Sequence, residues 1–305
     1  DRSQPRPAGP GRDFRRPIRR NVELPRPFPR IPSPHDPRRE SGRGWGEGRV
    51  SEPLHVLDLF SGIGGFSLGL ERTGGFRTVA FCEIDPFCRR VLAKHWPEVP
   101  CYDDIRTLTA DRLRADGIAV DVICGGFPCQ DISNGGHRVG IGGERSGLWS
   151  EIARLSGELR PDFIILENVA ALLGRGLGRV LGDLAALWYD AEWHCLSASD
   201  LGAPHERDRI WIVAYPETLR RDEGQWGAEG WGRLLWAGIH DSPSAWSSAA
   251  NNHEVRSGLV RIVHGLPDHV DRLGVLGNAV VPQIPEMIGR AILASRAPCI
   301  AEAAP

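Results

Sequence analysis

Short apolar runs alternate with segments of helical spacing from residue 54 onward. The run LHVLDLF at 54–60 contains an acid near its end, and SGIGGFSLGLERTGG at 61–75 passes from glycines into helical spacing and stops at two glycines. Apolar runs bounded by glycine are typical of buried strands, and the spacing that follows is typical of a helix. The pattern predicts a strand, a tight turn and a helix.

The same alternation continues along the chain. PFCRRVLAKHW at 86–96 has helical spacing, with Pro86 in its first turn. Further apolar runs predict buried strands in FRTVAFCEID (76–85), VDVICGG (120–126), DFIILENV (162–169) and RIWIVAY (209–215). Strands that alternate with helices predict an α/β fold, a doubly wound, mainly parallel sheet whose sites lie at the carboxyl ends of the strands.

Residues 1–50 break this pattern. They are rich in proline and arginine and show no hydrophobic period, so they cannot bury enough apolar area to fold. We expect a disordered leader, and the alternative is a basic arm that contacts nucleic-acid phosphates.

Composition excludes several classes. The chain has 305 residues, 41% of them hydrophobic, and a formal net charge of -2, so any basic surface must be local. Its seven cysteines are an odd number without paired short spacings, which favours reduced thiols over a disulfide framework. No apolar run reaches the roughly 18 residues of a membrane span. We expect a cytoplasmic protein with no membrane association.

The glycine turn is a candidate cofactor site. Glu83 follows it by about 20 residues at the end of the second strand, where an acid can bind ribose hydroxyls. Ser67 stands where the dinucleotide fingerprint has its third glycine, which disfavours a nicotinamide dehydrogenase and favours a nucleoside cofactor without a pyrophosphate. A merely tight turn is the alternative.

A second candidate site follows two later strands. Cys129 comes directly after GGFP, so it should lie in the crevice at the carboxyl edge of the sheet, where a thiol is suited to nucleophilic catalysis. Glu167 and Asn168 end another buried strand, and a carboxyl there costs free energy unless it has a partner or a role. A structural glutamate that caps the next helix remains the alternative.

Taken together, these segments resemble the bacterial and phage DNA (cytosine-5) methyltransferases. The matching pieces come in that family's order over residues 54–294. They are DLFSGIGGFSLGLE, CEID, YDDI, GGFPCQDIS, LENV, HERDRIWIVAY and DRLGVLGNAVVPQIPEMIGRAI.

The resemblance implies a Rossmann-like methyltransferase that uses S-adenosylmethionine and no metal. Cys129 would attack carbon 6 of a flipped cytosine, Glu167 would hydrogen-bond to ring nitrogen 3, and Arg209 would bind the carbonyl. Arg207 would orient Glu167. The resemblance also assigns Asn168 to the catalytic set, and cofactor contacts to Asp58, Phe60, Gly62, Gly64, Gly65, Glu83, Ile84, Asp104, Ile105, Pro128, Asn278 and Val280. It assigns DNA contacts to Gln130, Ser133, Arg138 and Arg145.

The expected domains follow from the same match. A catalytic domain at 54–215 is followed by a small inserted target-recognition region at 216–264, a returning segment at 265–296 and a tail at 297–305. Expected partners are double-stranded DNA and, in a restriction-modification pair, a cognate restriction endonuclease that acts separately. We expect a monomer. A tRNA cytosine methyltransferase, whose relatives usually carry Pro-Pro-Cys, and a catalytically inactive DNA-binding homologue are the alternatives.

Overall fold

The computed structural model describes residues 52–128, 148–201, 203, 205–217 and 278–296. Within these ranges one sheet of seven strands has the order β3-β2-β1-β4-β5-β7-β6. The strands are β1 (Leu54–Leu59), β2 (Phe76–Cys82), β3 (Cys101–Tyr102), β4 (Val122–Gly126), β5 (Phe163–Val169), β6 (Tyr189–Ser197) and β7 (Asp208–Pro216).

Helices connect these strands and cover both faces of the sheet. Pro86 begins α2, and the Asp85 side chain caps it by accepting hydrogen bonds from two backbone amides. The helices are α1 (Gly65–Glu71), α2 (Pro86–His95), α3 (Ala110–Ala115), α4 (Trp149–Leu159), α5 (Leu172–Arg175), α6 (Leu177–Ala186) and α7 (Gln283–Arg296). Within the described ranges, none of them has the length and apolar character that a membrane span requires.

The five neighbouring strands β3, β2, β1, β4 and β5 run parallel to one another, which confirms the predicted mainly parallel α/β sheet. The apolar runs at the centre are buried on both faces, because helices pack on each side. One face packs against α3, α4 and α6, and the other against α1 and α7. The predicted leader, the tail and nearly all of the predicted recognition region lie outside the described residues.

Strand β7 runs antiparallel to both β5 and β6. The strand β6 was not predicted, since its sequence YDAEWHCLS interleaves polar with apolar residues and much of it is partly exposed at the sheet edge. The reversal has a consequence for the site. The start of β7 lies beside the end of β5, where Arg209 pairs in register with Val169.

A carboxyl group is buried beneath the glycine turn. Asp58 near the end of β1 is fully buried, and its Oδ2 accepts a hydrogen bond of 2.7 Å from Ser67 Oγ of α1. Its register partner on β4 is Cys124, which is also fully buried. Burial raises the pKa of Asp58 to about 7, more than the bond from Ser67 lowers it.

This acid should make the folding stability depend on pH. An unfolded aspartate titrates near 4, so the folded protein binds an extra proton between about pH 4 and pH 7. The stability associated with the protonated acid is complete below pH 4 and is lost as the pH rises to 7, by at most about 4 kcal/mol. Asp58→Asn should therefore gain stability relative to wild type as the pH rises from 4 to 8. Denaturant unfolding at both pH values measures this.

Ser67→Ala is the matched variant, because it removes the hydrogen bond that favours the charged form. It should cost more stability at pH 8 than at pH 4. If the stability difference between Asp58→Asn and wild type is the same at both pH values, the pKa of Asp58 is not raised in the folded protein.

Candidate active site

The turn between β1 and α1 has the backbone conformation of a ligand cradle. Phe60, Gly62 and Gly64 have φ values of 53°, 53° and 85°, which is the left-handed region that favours glycine. The Phe60 amide donates to the Cys82 carbonyl at 2.8 Å, so the turn begins directly above the end of β2. The predicted cofactor turn therefore forms at the carboxyl edge of the sheet.

Glu83 fastens this turn to the second strand. Its Oε2 accepts a hydrogen bond of 2.7 Å from the Gly62 amide, and its Oε1 accepts one of 2.8 Å from the Asp85 amide. Each carboxylate oxygen has a second lone pair, so both remain able to accept from a ligand hydroxyl. The side chain is buried, and the residue after it, Ile84, is 66% exposed. An exposed isoleucine beside a buried carboxylate provides an apolar surface next to a polar one.

Three predicted cofactor residues have other partners in the structure. The Asp58 carboxyl is buried beneath the turn with Ser67, and its assignment to the cofactor site stays a prediction. Asp104 pairs with Arg106 at 2.8 Å, and hydrogen bonds from Arg106 lower the pKa of Asp104. Ile105 packs into the core on the face of α3 and α4.

The segment before α7 closes the turn from above. A Cβ atom at Gly65 would lie 2.5 Å from the Val280 carbonyl oxygen, so this segment touches the first turn of α1 through backbone. Asn278 is exposed, and its carbonyl accepts a hydrogen bond of 3.2 Å from Arg207. The structure thus brings the predicted residues Asn278 and Val280 to the same edge as the glycine turn.

Glu167 lies at the carboxyl end of β5 in an ion pair. Its Oε1 is 2.7 Å from Arg209 Nε, and only 11% of the side chain is exposed. Burial raises the pKa of Glu167, and this effect exceeds the lowering by Arg209 and Arg207. A Cβ atom at Gly126, its register partner on β4, would lie 2.9 Å from Glu167 Oε2. Such a carboxyl is suited to carry a proton at a site that excludes water.

Both arginines act electrostatically on Glu167, and their roles toward a substrate stay predictions. The Arg209 guanidinium contacts the Glu167 carboxylate, so Arg209 orients this carboxyl. Its binding of the substrate carbonyl, and the orienting role expected of Arg207, stay predictions. The antiparallel direction of β7 places Arg209 across from the end of β5, whereas Arg207 precedes the strand and reaches Asn278. The positive charge of Arg207 still acts on Glu167, whose pKa it lowers.

Asn168 holds the loop that leads to Cys129. Its Nδ2 donates to the Phe127 carbonyl at 3.2 Å, and its Oδ1 accepts from the Val169 amide at 2.9 Å. Pro128 is half-buried and is the last described residue of this segment. Cys129 and the predicted DNA contacts Gln130, Ser133, Arg138 and Arg145 lie outside the described residues.

Sequence reasoning missed several residues that support the site. Ser67 had been noted only as a departure from a glycine pattern, Gly126 only as part of a motif, and Trp96 had no role assigned. These roles depend on contacts between distant segments, such as the one from Trp96 to Gly64. The sequence carried a signal only for Ser67, whose spacing from the glycines places it in the first turn of α1, next to Asp58.

The comparisons with known proteins agree with this arrangement. The profile of the family described as C-5 cytosine-specific DNA methylase matches residues 54–238. The Type II methyltransferase M.DsaV of Dactylococcopsis salina is 38% identical over 173 residues, which are 55% of this chain and 48% of that protein. The Type II methyltransferase M2.BsuMI of Bacillus subtilis is 36% identical over 169 residues, 53% of this chain and 42% of that protein.

The chain thus spans about half the length of the curated relatives that it matches. Among solved structures, the Dnmt2 methyltransferase of S. pombe aligns with a TM-score of 0.50 and 22% identity over 64% of this chain and 56% of that one, a likeness in fold. Because the family profile covers more than half of the sequence, the chain belongs to the C-5 cytosine-specific DNA methylase family.

Proposed function

We propose that this protein transfers a methyl group from S-adenosylmethionine to carbon 5 of a cytosine in double-stranded DNA, through a covalent adduct of Cys129 on a flipped base. The observation that carries the proposal is the buried Glu167–Arg209 pair beside Gly126. Gly126 is three residues before Cys129 in the sequence. Family membership and the Type II methyltransferase names of the curated relatives support it.

The residues at the glycine turn fit such a cofactor. The left-handed turn, the Glu83 carboxylate and the exposed Ile84 side chain combine backbone amides, an acceptor for ribose hydroxyls and an apolar surface for a base. Asn278 and Val280 would border the same site from the segment before α7. When bound, the cofactor supplies an electrophilic methyl group.

Carbon 5 of cytosine is too weak a nucleophile by itself, and the protein side chains would change that. The Cys129 thiolate forms a bond to carbon 6, and the displaced π electrons move through the ring toward nitrogen 3. Glu167 supplies the proton at nitrogen 3, which its raised pKa favours. Arg209 neutralises the carboxylate that remains and offers further N–H donors to the cytosine carbonyl.

The cycle ends with elimination. Once carbon 5 carries the methyl group, loss of its proton to a water restores the double bond between carbons 5 and 6, breaks the bond between sulfur and carbon 6 and releases the thiolate. Nitrogen 3 returns its proton to Glu167, which restores the starting carboxyl. The target base must leave the duplex to reach this edge, at a cost of a few kcal/mol. In a restriction-modification pair, the partner would be a cognate restriction endonuclease that acts separately; a methyltransferase that acts alone is the alternative.

The covalent step can be trapped. Fluorine at carbon 5 leaves no proton to remove after methylation, so the enzyme should stay attached to duplex DNA that contains 5-fluorocytosine at the target site. Electrophoresis under denaturing conditions should reveal a slow-migrating adduct with wild type and S-adenosylmethionine. Cys129→Ser should bind the duplex and give no adduct, and Glu167→Gln should form it more slowly. Equal adduct in Cys129→Ser would refute the assignment.

Gly126 should matter for activity more than for stability. The Cβ atom of Gly126→Ala would lie 2.9 Å from Glu167 Oε2, and the ion pair with Arg209 limits how far the carboxylate can move. We expect kcat to fall by about ten-fold or more, because a misplaced general acid loses its alignment. Methyl-transfer assays and thermal melts measure both effects.

The control is Gly182→Ala on α6, where nothing lies within 4 Å of the added methyl group. It should keep full activity and gain up to about 1 kcal/mol of stability. Full activity in Gly126→Ala would show that Glu167 does not require this space.

Glu83 should contribute to cofactor affinity. Glu83→Ala removes an acceptor for ribose hydroxyls and the bond that fastens Gly62, so it should weaken S-adenosylmethionine binding by roughly 1–3 kcal/mol. Glu83→Gln keeps one acceptor oxygen and should lose less. Calorimetry measures the affinities, with Asp111→Ala on α3, where the side chain is 93% exposed, as the control. Unchanged affinity in Glu83→Ala would overturn the assignment.

A further inference from the structure

Trp96 lies directly beneath the glycine turn. A Cβ atom at Gly64 would be 2.7 Å from Cη2 and Cζ3 of the Trp96 ring, and 3.1 Å from Leu92 Cδ2. Gly64 is the N-cap of α1 and has a φ of 85°. The edge of the indole ring therefore touches the Gly64 backbone at the point where the turn becomes a helix.

The orientation of this ring is set by three other groups. Trp96 Nε1 donates to Glu71 Oε2 at 2.9 Å, and Glu71 Oε1 accepts a hydrogen bond of 2.9 Å from the Thr78 amide of β2. Phe81 meets the indole edge to face, with ring centroids 5.4 Å apart. Glu71 is the last residue of α1, so the indole N–H ties the far end of that helix to the ring that supports its beginning.

Trp96 is also linked to Glu83 through α2. Asp85 caps the start of α2 and donates its amide to Glu83 Oε1, while Trp96 follows the end of the same helix. Glu83 Oε2 in turn holds the Gly62 amide. The start of α2 therefore contacts the turn at Gly62 through Glu83, and the residue at its end, Trp96, contacts the turn at Gly64. One short helix thus supports the turn at two positions.

We propose that Trp96 is a positioning residue for the adenosine cofactor, which acts by holding Gly64 and hence the turn in its binding conformation. This inference rests on the proposed function. The ring contacts the underside of the turn, so its loss leaves space into which the turn relaxes, and the binding groups must then be ordered again when the ligand arrives. The effect should fall on cofactor affinity and leave the chemical step alone.

The test measures binding of S-adenosylhomocysteine to the full chain by calorimetry. Trp96→Leu should raise the Kd by about ten-fold or more, because a preorganised site loses affinity when its groups become mobile. Trp96→Phe keeps an aromatic ring but loses both the hydrogen bond to Glu71 and the outer ring atoms that approach Gly64, so its Kd should lie between those of wild type and Trp96→Leu. In turnover assays the KM for S-adenosylmethionine should follow the Kd, while kcat stays within about three-fold.

Two controls separate positioning from general stability. Trp193→Leu changes a tryptophan that is 42% exposed on β6, and Leu113→Ala opens a cavity in the core under α3. Both should leave the Kd unchanged, although Leu113→Ala lowers the melting temperature. An equal rise in Kd for Leu113→Ala would overturn the proposal, as would an unchanged Kd in Trp96→Leu. If Trp96→Leu does not fold, a Trp96→Phe protein with the Kd of wild type overturns it.

The binding data distinguish a failure of the proposed function from a failure of the Trp96 inference. A folded wild-type chain that binds neither S-adenosylhomocysteine nor S-adenosylmethionine would overturn the cofactor assignment and this inference together. A wild-type chain that binds while Trp96→Leu binds equally well would overturn the Trp96 inference alone.

Discussion

The contact between Glu167 and Arg209 depends on a reversal of strand direction. A lone carboxylate with 11% of its side chain exposed would lose several kcal/mol of solvation. The central strands run parallel, so a cation near the start of a further parallel strand would lie at the opposite edge of the sheet. Because β7 is antiparallel, its first residues lie beside the end of β5, and the Arg209 side chain is close enough to contact Glu167 directly. Burial still raises the pKa of Glu167, so the pair keeps an acid that retains its proton more readily than an exposed one.

The two halves of the candidate site share one design. In each, a glycine contacts a carboxyl at the end of a neighbouring strand. Gly126 leaves space for Glu167, and the Gly62 amide donates a hydrogen bond to Glu83. Arg207 joins the halves, because its guanidinium binds the Asn278 carbonyl and its charge acts on Glu167. The glycine turn and the Glu167–Arg209 pair therefore rest on the same sheet edge, and strands hold such groups more rigidly than loops do.

The central strands could be predicted because burial on both faces produces continuous apolar runs with clear ends. The residues at their carboxyl ends followed from the same pattern, since parallel strands present those ends at one edge. Strand β6 was missed because an edge strand retains polar side chains and has no such signature. The sequence did not show which arginine contacts Glu167, because Arg207 and Arg209 are only two positions apart and the pairing of β7 with β5 places Arg209 beside that carboxyl. The support from Trp96 and Ser67 arises from packing between segments and leaves no local pattern.

The departures from ordinary local rules gather around the glycine turn. Phe60 adopts a left-handed φ of 53°, which costs a residue with a side chain roughly 1–2 kcal/mol. Asp58 beneath it is a fully buried carboxyl that accepts a hydrogen bond from Ser67 Oγ and lies beside the Cys124 thiol. Both features reduce stability, and both lie between the end of β1 and the start of α1. Strain of this kind persists only where several independent contacts hold the strained conformation. The bonds from Gly62 to Glu83, from Ser61 to the Asp58 carbonyl and from Trp96 to Glu71 provide that support. The turn is therefore held in its conformation before any ligand binds, so a ligand need not supply the free energy to form it.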